Sequence, residues 1–553
     1  MLTYSTRTIG LIGFVWMPDG KERLQTLVIE KGKIVRVIEG KATEGAGGLS
    51  DFPGIIMIEL DAETVIFPGL LNLHTHIGYN ILPVWESHQV WKNRFQWRSN
   101  SAYKQQIGGL LDYIKEGWKE DAEVKATLAQ VAGATAAATA TSPQVAGIIP
   151  TSLPQVDLAH AIISEIQAVA GGTVVIQETL DLDKEQADDR SFIIRNTGDQ
   201  AGLPIPAADE VNSVVDFYRP NVTPSGDSAE DTSNWAPVAQ STYNSYIRSV
   251  NNNNTPYYAT LIHVGEGKTG FVKGSTADPY SRKEVDLLFG SLQKDVGDPG
   301  KLTQSRLGIT HGCGMDPGNA AWVDFVKTHQ ISWIWSPVSN LLLYRDTLDV
   351  RRLLDKGINV CLGSDWSPSG SKHVLDELKF ARFVNQLLDL QIGDRELFRM
   401  VTANPAQALG LMGNGTIREG GNADLFVLRR SGKEDDPLTA LLESGDAAID
   451  FVMVNGRIVF GLTRYFENEL KVDYQGFPPE EGEAVARRGV SINSEINFDL
   501  VRSLKIMDTL LERYGSTVLH EPALRRTRMM AADDEVYRRR IGALRDELMH
   551  LYW

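Results

Sequence analysis

Two histidines stand two residues apart in "FPGLLNLHTHIGYN" (67–80): His74 and His76, directly behind an apolar run. Alternate residues of an extended strand point to one face, so two imidazoles at this spacing can aim at a single ion. Three further groups with metal-binding chemistry close apolar stretches: His263 in "ATLIHV", His311 in "RLGITHG" and Asp365 in "INVCLGSD". Imidazoles with one carboxylate suit Zn2+ or Fe2+, and an open coordination position can hold water. Glu266 follows His263 by three residues in "HVGEGKTG". Just beyond a strand end, that offset lets a carboxyl reach the same cavity without being a ligand. Such a group could move a proton to a substrate nitrogen; the plainer reading is a solvated loop glutamate.

A lone strand-end histidine is more often a hydrogen-bonded structural residue than a ligand. The combination is what points to a metal: each of these groups follows an apolar strand, inside one α/β region. His88, His160, His329, His373, His520 and His550 lack that placement and receive no metal role. Cys313 and Cys361 read as small buried residues.

The elements that must position these groups alternate. Apolar strand candidates lie at 173–177, 258–264, 306–312, 331–336 and 358–365, with amphipathic stretches such as "DTLDVRRLLDKG" (346–357) and "VLDELKFARFVNQLLDL" (374–390) between some of them. Strand–helix alternation from Phe67 to about residue 412 predicts a parallel α/β architecture, most simply an eight-stranded (β/α)8 TIM barrel. In such a barrel all strand C-termini meet at one rim. "AQVAGATAAATATSP" (129–143) and "QAVAGGTVVIQETLD" (167–181) each read as a helix end, a glycine and a Thr-rich strand. Residues 182–257 are polar and punctuated, too long for an ordinary loop. They read as an insertion carrying one helix near Ala208 to Tyr218, either a surface excursion or a lid.

Strand-like segments flank the barrel region. "TLVIEKGKIVRVIEG" (26–40) is a hairpin signal, and "GTIREGGNADLFVLRR" (415–430) and "AIDFVMVNGRIVFG" return to strand character. Residues 472–553 carry two amphipathic helices, with Leu500, Leu504, Met507, Leu511 and Tyr514 on one face and Tyr537, Ile541, Leu544, Leu548 and Leu551 on the other. They are expected to pack on the body or on a partner subunit, and a homo-oligomer, a dimer, is expected.

The chain has 553 residues, 42% hydrophobic and 23% charged, enough for a large core and wrong for a disordered chain. A net charge of -16 argues against nucleic acid and anionic membrane surfaces as partners. Two cysteines form no disulfide framework, and no secretory signal or membrane span is evident, so a cytoplasmic protein acting on a small-molecule substrate is expected.

The stretches "VIFPGLLNLHTH", "LIHVGEG", "ITHG", "SPVSNLLLYRDTLDVRRLLDKGINVCLGSDWSPSGSKHVLDELKFA", "VTANPAQALGLMGNGTIREGGNADLFVLR" and "IDFVMVNGRIVF" resemble the amidohydrolase superfamily. The branch is that of cytosine and guanine deaminases, S-adenosylhomocysteine-type deaminases, triazine hydrolases and imidazolonepropionases. The resemblance implies a distorted barrel (67–412) with a small β-sandwich built from both chain ends (1–66 and 413–471). It implies His74, His76, His263 and Asp365 as ligands of one divalent ion, Zn2+ ahead of Fe2+. It also implies Glu266 as proton shuttle and His311 as a group holding water or substrate. Some relatives carry two metals bridged by a modified lysine; Lys184 is the only lysine between Glu178 and Lys268 and sits in a polar run, so one metal is expected. Trp366 stands where such deaminases commonly have a small residue, and Tyr79, Trp85 and Trp366 are candidates for the pocket wall. The expected activity is hydrolysis of non-peptide C–N bonds, as deamination of a ring amidine. Cyclic-amide hydrolysis is the alternative, and a non-catalytic scaffold is the least favoured.

Overall fold

The computed structural model describes residues 5–43, 48–85, 87, 89–139, 156–177, 192–197, 210–214, 216–224, 230–252, 257–431, 436–478, 487–494, 496, 498–519 and 535–552. Glu178, Lys184, His88 and His520 lie outside them.

Both chain ends build one ten-stranded sheet. Ile9–Trp16 pairs with Glu22–Glu30, and that strand pairs with Lys33–Glu39 across the expected hairpin. Thr64–Pro68 lies beside Leu425–Arg429, with Phe67 opposite Phe426, and Ile449–Val454 and Arg457–Leu462 continue the sheet. Val65 and Phe67 belong to the main core while Ile66 belongs to the separate core of this sheet, the alternation expected of a strand covered on both faces.

Eight parallel strands follow among the described residues: β1 (Leu70–Asn72), β2 (Thr173–Ile176), β3 (Arg195–Asn196), β4 (Glu210–Val214), β5 (Tyr257–Val264), β6 (Leu307–His311), β7 (Ser332–Trp335) and β8 (Val360–Leu362). They form two parallel sheets, β1-β2-β3 and β8-β7-β6-β5-β4. A parallel bridge between Thr75 and Asp365 joins the chain just beyond β1 to the chain just beyond β8. Thr173–Ile176, Leu307–His311, Ser332–Trp335 and Val360–Leu362 are buried along their whole length and mainly apolar, as strands covered on both faces are.

Two expectations fail. The segment near 208–218 holds the strand β4, parallel to β5, and not a helix, so part of the expected insertion is an integral strand of the sheet. "AQVAGATAAAT" stays helical: the helix Ala122–Thr139 runs through Gly133, because an Ala-rich run outweighs one glycine.

Two C-terminal helices pack on the body. Leu500–Tyr514 buries the expected face, Leu500, Leu504, Met507, Leu511 and Tyr514, against helices Ala122–Thr139 and Val156–Ala170. Glu535–Tyr552 buries Leu544 and Leu548 and pairs Glu547 with Arg345. Among the described residues no helix is long and apolar enough to cross a membrane.

Candidate functional site

The strand ends bring all six singled-out groups together. His74 lies two residues past β1, His263 is the penultimate residue of β5, His311 ends β6, and Asp365 lies three past β8. The backbone fixes the pairing of the first and last. The Asp365 amide donates to the His74 carbonyl at 2.9 Å, and the His76 amide donates to the Asp365 carbonyl at 3.3 Å. Just below, Asn72 and Ser364 exchange two hydrogen bonds, at 2.7 and 3.1 Å. The parallel register sets His263 beside Thr310 and Val264 beside His311. His311 and Asp365 both adopt left-handed backbone, with φ of 61° and 58°. Non-glycine residues rarely do so, and such strain gathers at functional sites.

The imidazole of His74 is central. Its ring centroid lies 5.2 Å from that of His76, 4.6 Å from His263 and 5.0 Å from His311. Its Nε2 is 3.0 Å from Asp365 Oδ1, and His76 Nε2 is 3.9 Å from the same oxygen. His311 Nε2 lies 3.9 Å from Asp365 Oδ2 and 3.7 Å from Glu266 Oε2. All are buried except His76, which is half-buried.

The donor set fits a divalent ion. One nitrogen from each of His74, His76 and His263 lies within 4.8 Å of the others, and one nitrogen each of His74 and His311 and a carboxylate oxygen of Asp365 are grouped equally closely. Among the described residues, His74 Nδ1 and His311 Nε2 are buried without a hydrogen-bond partner, and His74 Nε2 has only the Asp365 carboxylate beside it. Buried nitrogens are seldom left so without cause, and an ion would satisfy them.

Electrostatics separates the two carboxyls. Burial, and then the charge of Asp365, push Glu266 up to about 7, against the pull of Arg94 and a bond from Tyr344. Burial also works to raise Asp365, but His74, His311 and His76 outweigh it and hold that carboxyl below its ordinary range. Burial keeps His263 well below the usual histidine value, helped by its imidazole neighbours. Burial does the same to His311, against the opposing charge of Asp365. The site thus pairs an ionised carboxylate with a carboxyl that can hold a proton near neutrality, an arrangement suited to acid and base work.

Five supporting residues escape a reading of the sequence. Arg94 is buried, forks onto Glu284 at 2.6 and 3.1 Å, and donates its amide to the Glu266 carbonyl. Glu284 in turn accepts from the Gly265 amide at 2.8 Å, so the pair clamps the turn between His263 and Glu266. Tyr344 donates to Glu266 Oε1, Trp97 donates to Tyr344, and Asn340 Nδ2 lies 3.5 Å from His311 Nδ1. Their signal is spatial; only "SPVSNLLLY", quoted for its resemblance, holds two of them.

The wall candidates gather beside the cluster. Trp366 meets Tyr79 edge-on at 5.4 Å, stacks on Trp97 at 5.3 Å and approaches Trp85 at 6.4 Å. His373 lies elsewhere, at the N-terminus of helix Val374–Leu387 with Asp446 at 3.3 Å. His160 sits behind the site, bonded to the Gly78 carbonyl. Cys313 and Cys361 are buried, with thiols that burial pushes up.

Residues 263–459 match the model of the amidohydrolase family. The chain is 33% identical over 171 residues to a 5-methylthioadenosine/S-adenosylhomocysteine deaminase of Thermococcus onnurineus, covering 30% of this chain and 37% of that protein. It is 23% identical over 429 residues to a 5'-deoxyadenosine deaminase of Methanosarcina acetivorans, covering 74% and 81%. The matched segments span less than half the length of the first curated relatives. In fold it is similar to the crystal structure of an adenosine deaminase from Xanthomonas campestris with bound zinc, at a TM-score of 0.52 and 14% identity, over 93% of this chain and 99% of that one. The stretch holding His263, Glu266, His311 and Asp365 is thus the stretch that matches the amidohydrolase family model.

Proposed function

We propose that the cluster is the centre of a metal-dependent hydrolase that deaminates a ring amidine. The observation that carries this reading is the meeting of four imidazoles and two oppositely tuned carboxyls, with His74 Nδ1 and His311 Nε2 buried and, among the described residues, without a hydrogen bond. We read β1 to β8 as the staves of one barrel, with the site at its C-terminal rim; the Thr75–Asp365 bridge supports that closure.

In this reading His74, His76, His263 and Asp365 hold one divalent ion, Zn2+ ahead of Fe2+. Such an ion supplies Lewis acidity and lowers the pKa of a water in the site. Asp365, ionised and facing both His74 and His311, accepts a proton from the attacking water. Glu266, protonated near neutrality, gives its proton to the ring nitrogen beside the attacked carbon. Oxygen adds to that carbon, the exocyclic C–N bond breaks with a proton delivered to the departing nitrogen, and ammonia leaves as a ring carbonyl forms. The names of the matching relatives support an adenine nucleoside altered at its 5' position as the substrate class.

The test is ammonia release from a panel of 5'-modified adenosines, cytosine, guanine, triazines and lactams, with the bound metal measured alongside. The expected result is release from at least one amino-substituted ring, abolished by chelation and restored by metal. His74→Ala, His263→Ala and Asp365→Ala should each lose metal or lower turnover by about 10²-fold or more. Ring opening without ammonia would favour the cyclic-amide alternative. Wild-type metal content and turnover in all three variants would overturn the site.

A further inference from the structure

Glu266 has two carboxyl oxygens, and the molecule treats them differently. Oε2 faces the cluster, 3.7 Å from His311 Nε2. Oε1 faces away, and the Tyr344 hydroxyl donates to it at 2.6 Å. The Tyr344 oxygen in turn accepts from Trp97 Nε1 at 2.8 Å. All three side chains are buried.

The direction of this chain is forced by chemistry. An indole N–H can only donate, and a phenol has one proton. With a lone pair of Tyr344 occupied by Trp97, its proton goes to Glu266, which leaves Oε1 an acceptor. A proton carried by Glu266 therefore has one place to sit, on Oε2.

We propose that Tyr344 and Trp97 are positioning residues that fix which oxygen of Glu266 carries and delivers the proton. This deepens the deaminase reading and rests on it for the identity of the transfer. Tyr344 is the last residue of the buried helix Pro337–Tyr344, and Arg345 follows in left-handed backbone at φ 52°. Trp97 stacks at 16° on Trp366, the neighbour of Asp365. The relay thus runs from the chain beside the base to the acid. With Oε1 tethered, the carboxyl is not free to turn its proton away from the substrate nitrogen.

Tyr344→Phe keeps the ring and removes only the hydroxyl. On any substrate the panel finds, kcat should fall about 10- to 100-fold with KM nearly unchanged, as small misplacements of a reacting group do. Metal content should match wild type. Trp97→Phe, which removes the donor behind the hydroxyl, should fall less far in the same direction. A second readout needs no turnover. The infrared carbonyl band of protonated Glu266, assigned by its disappearance in Glu266→Gln, should move to higher frequency in Tyr344→Phe, because its carbonyl oxygen loses a hydrogen bond. If no substrate is found and the band moves, the function reading fails while the positioning role stands. A folded Tyr344→Phe with an unmoved band, or with wild-type kcat on an active substrate, overturns the proposal.

Discussion

His311 and Asp365 hold left-handed backbone that costs on the order of 1–3 kcal/mol each. That strain turns their side chains inward at the ends of apolar strands. The same economy of space acts at Gly363, where β8 meets the chain beyond β1. A Cβ there would lie 2.4 Å from His74 Cβ and 2.9 Å from Ile334 Cγ2. Neither atom is the loose end of a flexible side chain. Gly363→Ala should therefore cost about 1–3 kcal/mol in overpacking and push His74 off its position, so that metal content falls. Gly108, whose added Cβ would meet nothing within 4 Å, gives the control: Gly108→Ala should keep full metal. Equal metal content and equal urea midpoints in the two variants would refute the argument. At this scale the candidate site was largely legible, because histidines and acids at the ends of apolar strands are visible in a string of letters. Tyr344, Trp97 and Arg94 were not. Their roles come from contacts across long separations, such as the 247 positions between Trp97 and Tyr344.

Strands and helices carry the groups, and neighbouring elements hold the carriers. Helix Val156–Ala170 reaches the turn Ile77–Tyr79, just past His76, through His160, whose Nε2 lies 2.7 Å from the Gly78 carbonyl. That bond asks for a proton on Nε2, and burial favours the neutral ring. Burial, against the bond to Gly78, pushes the His160 pKa down to about 4. The unfolded chain, with an ordinary histidine near 6.5, takes up the proton first as pH falls. Stability from this group is therefore complete above about pH 6.5 and is lost between there and about pH 4, by up to about 3 kcal/mol. His160→Gln can keep a donor for Gly78 but cannot titrate. Urea unfolding of both proteins should show the wild type losing its advantage as pH falls through that window, and a constant difference would exclude the role. Most strands were legible at this scale, since short apolar runs announced β2, β5, β6, β7 and β8. β4 was misread because the valines and aromatics of "EVNSVVDFY" also fit helical spacing, and pairing with β5 decides the matter.

The whole molecule must hold a parallel α/β body against a sheet made from both chain ends. A buried polar knot sits at that junction. Arg195, from β3, donates to Asp424 at 2.6 and 3.1 Å, and Nη2 also reaches Asn455 at 3.1 Å. Asp424 also accepts from Asn414 and from the Asn455 amide. Arg195 is 1% and Asp424 6% exposed, so neither charge can fall back on water. A well-packed apolar pair could be as stable there, but removing one partner leaves an uncompensated buried charge, at a cost of about 3–5 kcal/mol. The residues come from opposite sides of the junction. Asp424→Ala should thus lower the stability of both parts together, as one cooperative transition shifted in urea. Tryptophan fluorescence reports mainly on the parallel body, which holds Trp91, Trp97, Trp333, Trp335 and Trp366. Amide exchange in Ile9–Trp16 and Ile449–Val454 reports on the composite sheet. Both probes should move by the same amount in the variant. If exchange quickens in the composite sheet while the fluorescence midpoint stays, the two parts fold independently and the knot is local. A shared shift would mean that the sheet from the chain ends is a structural condition for the site, because β1 and His74 follow directly from Thr64–Pro68, the strand that pairs beside Asp424.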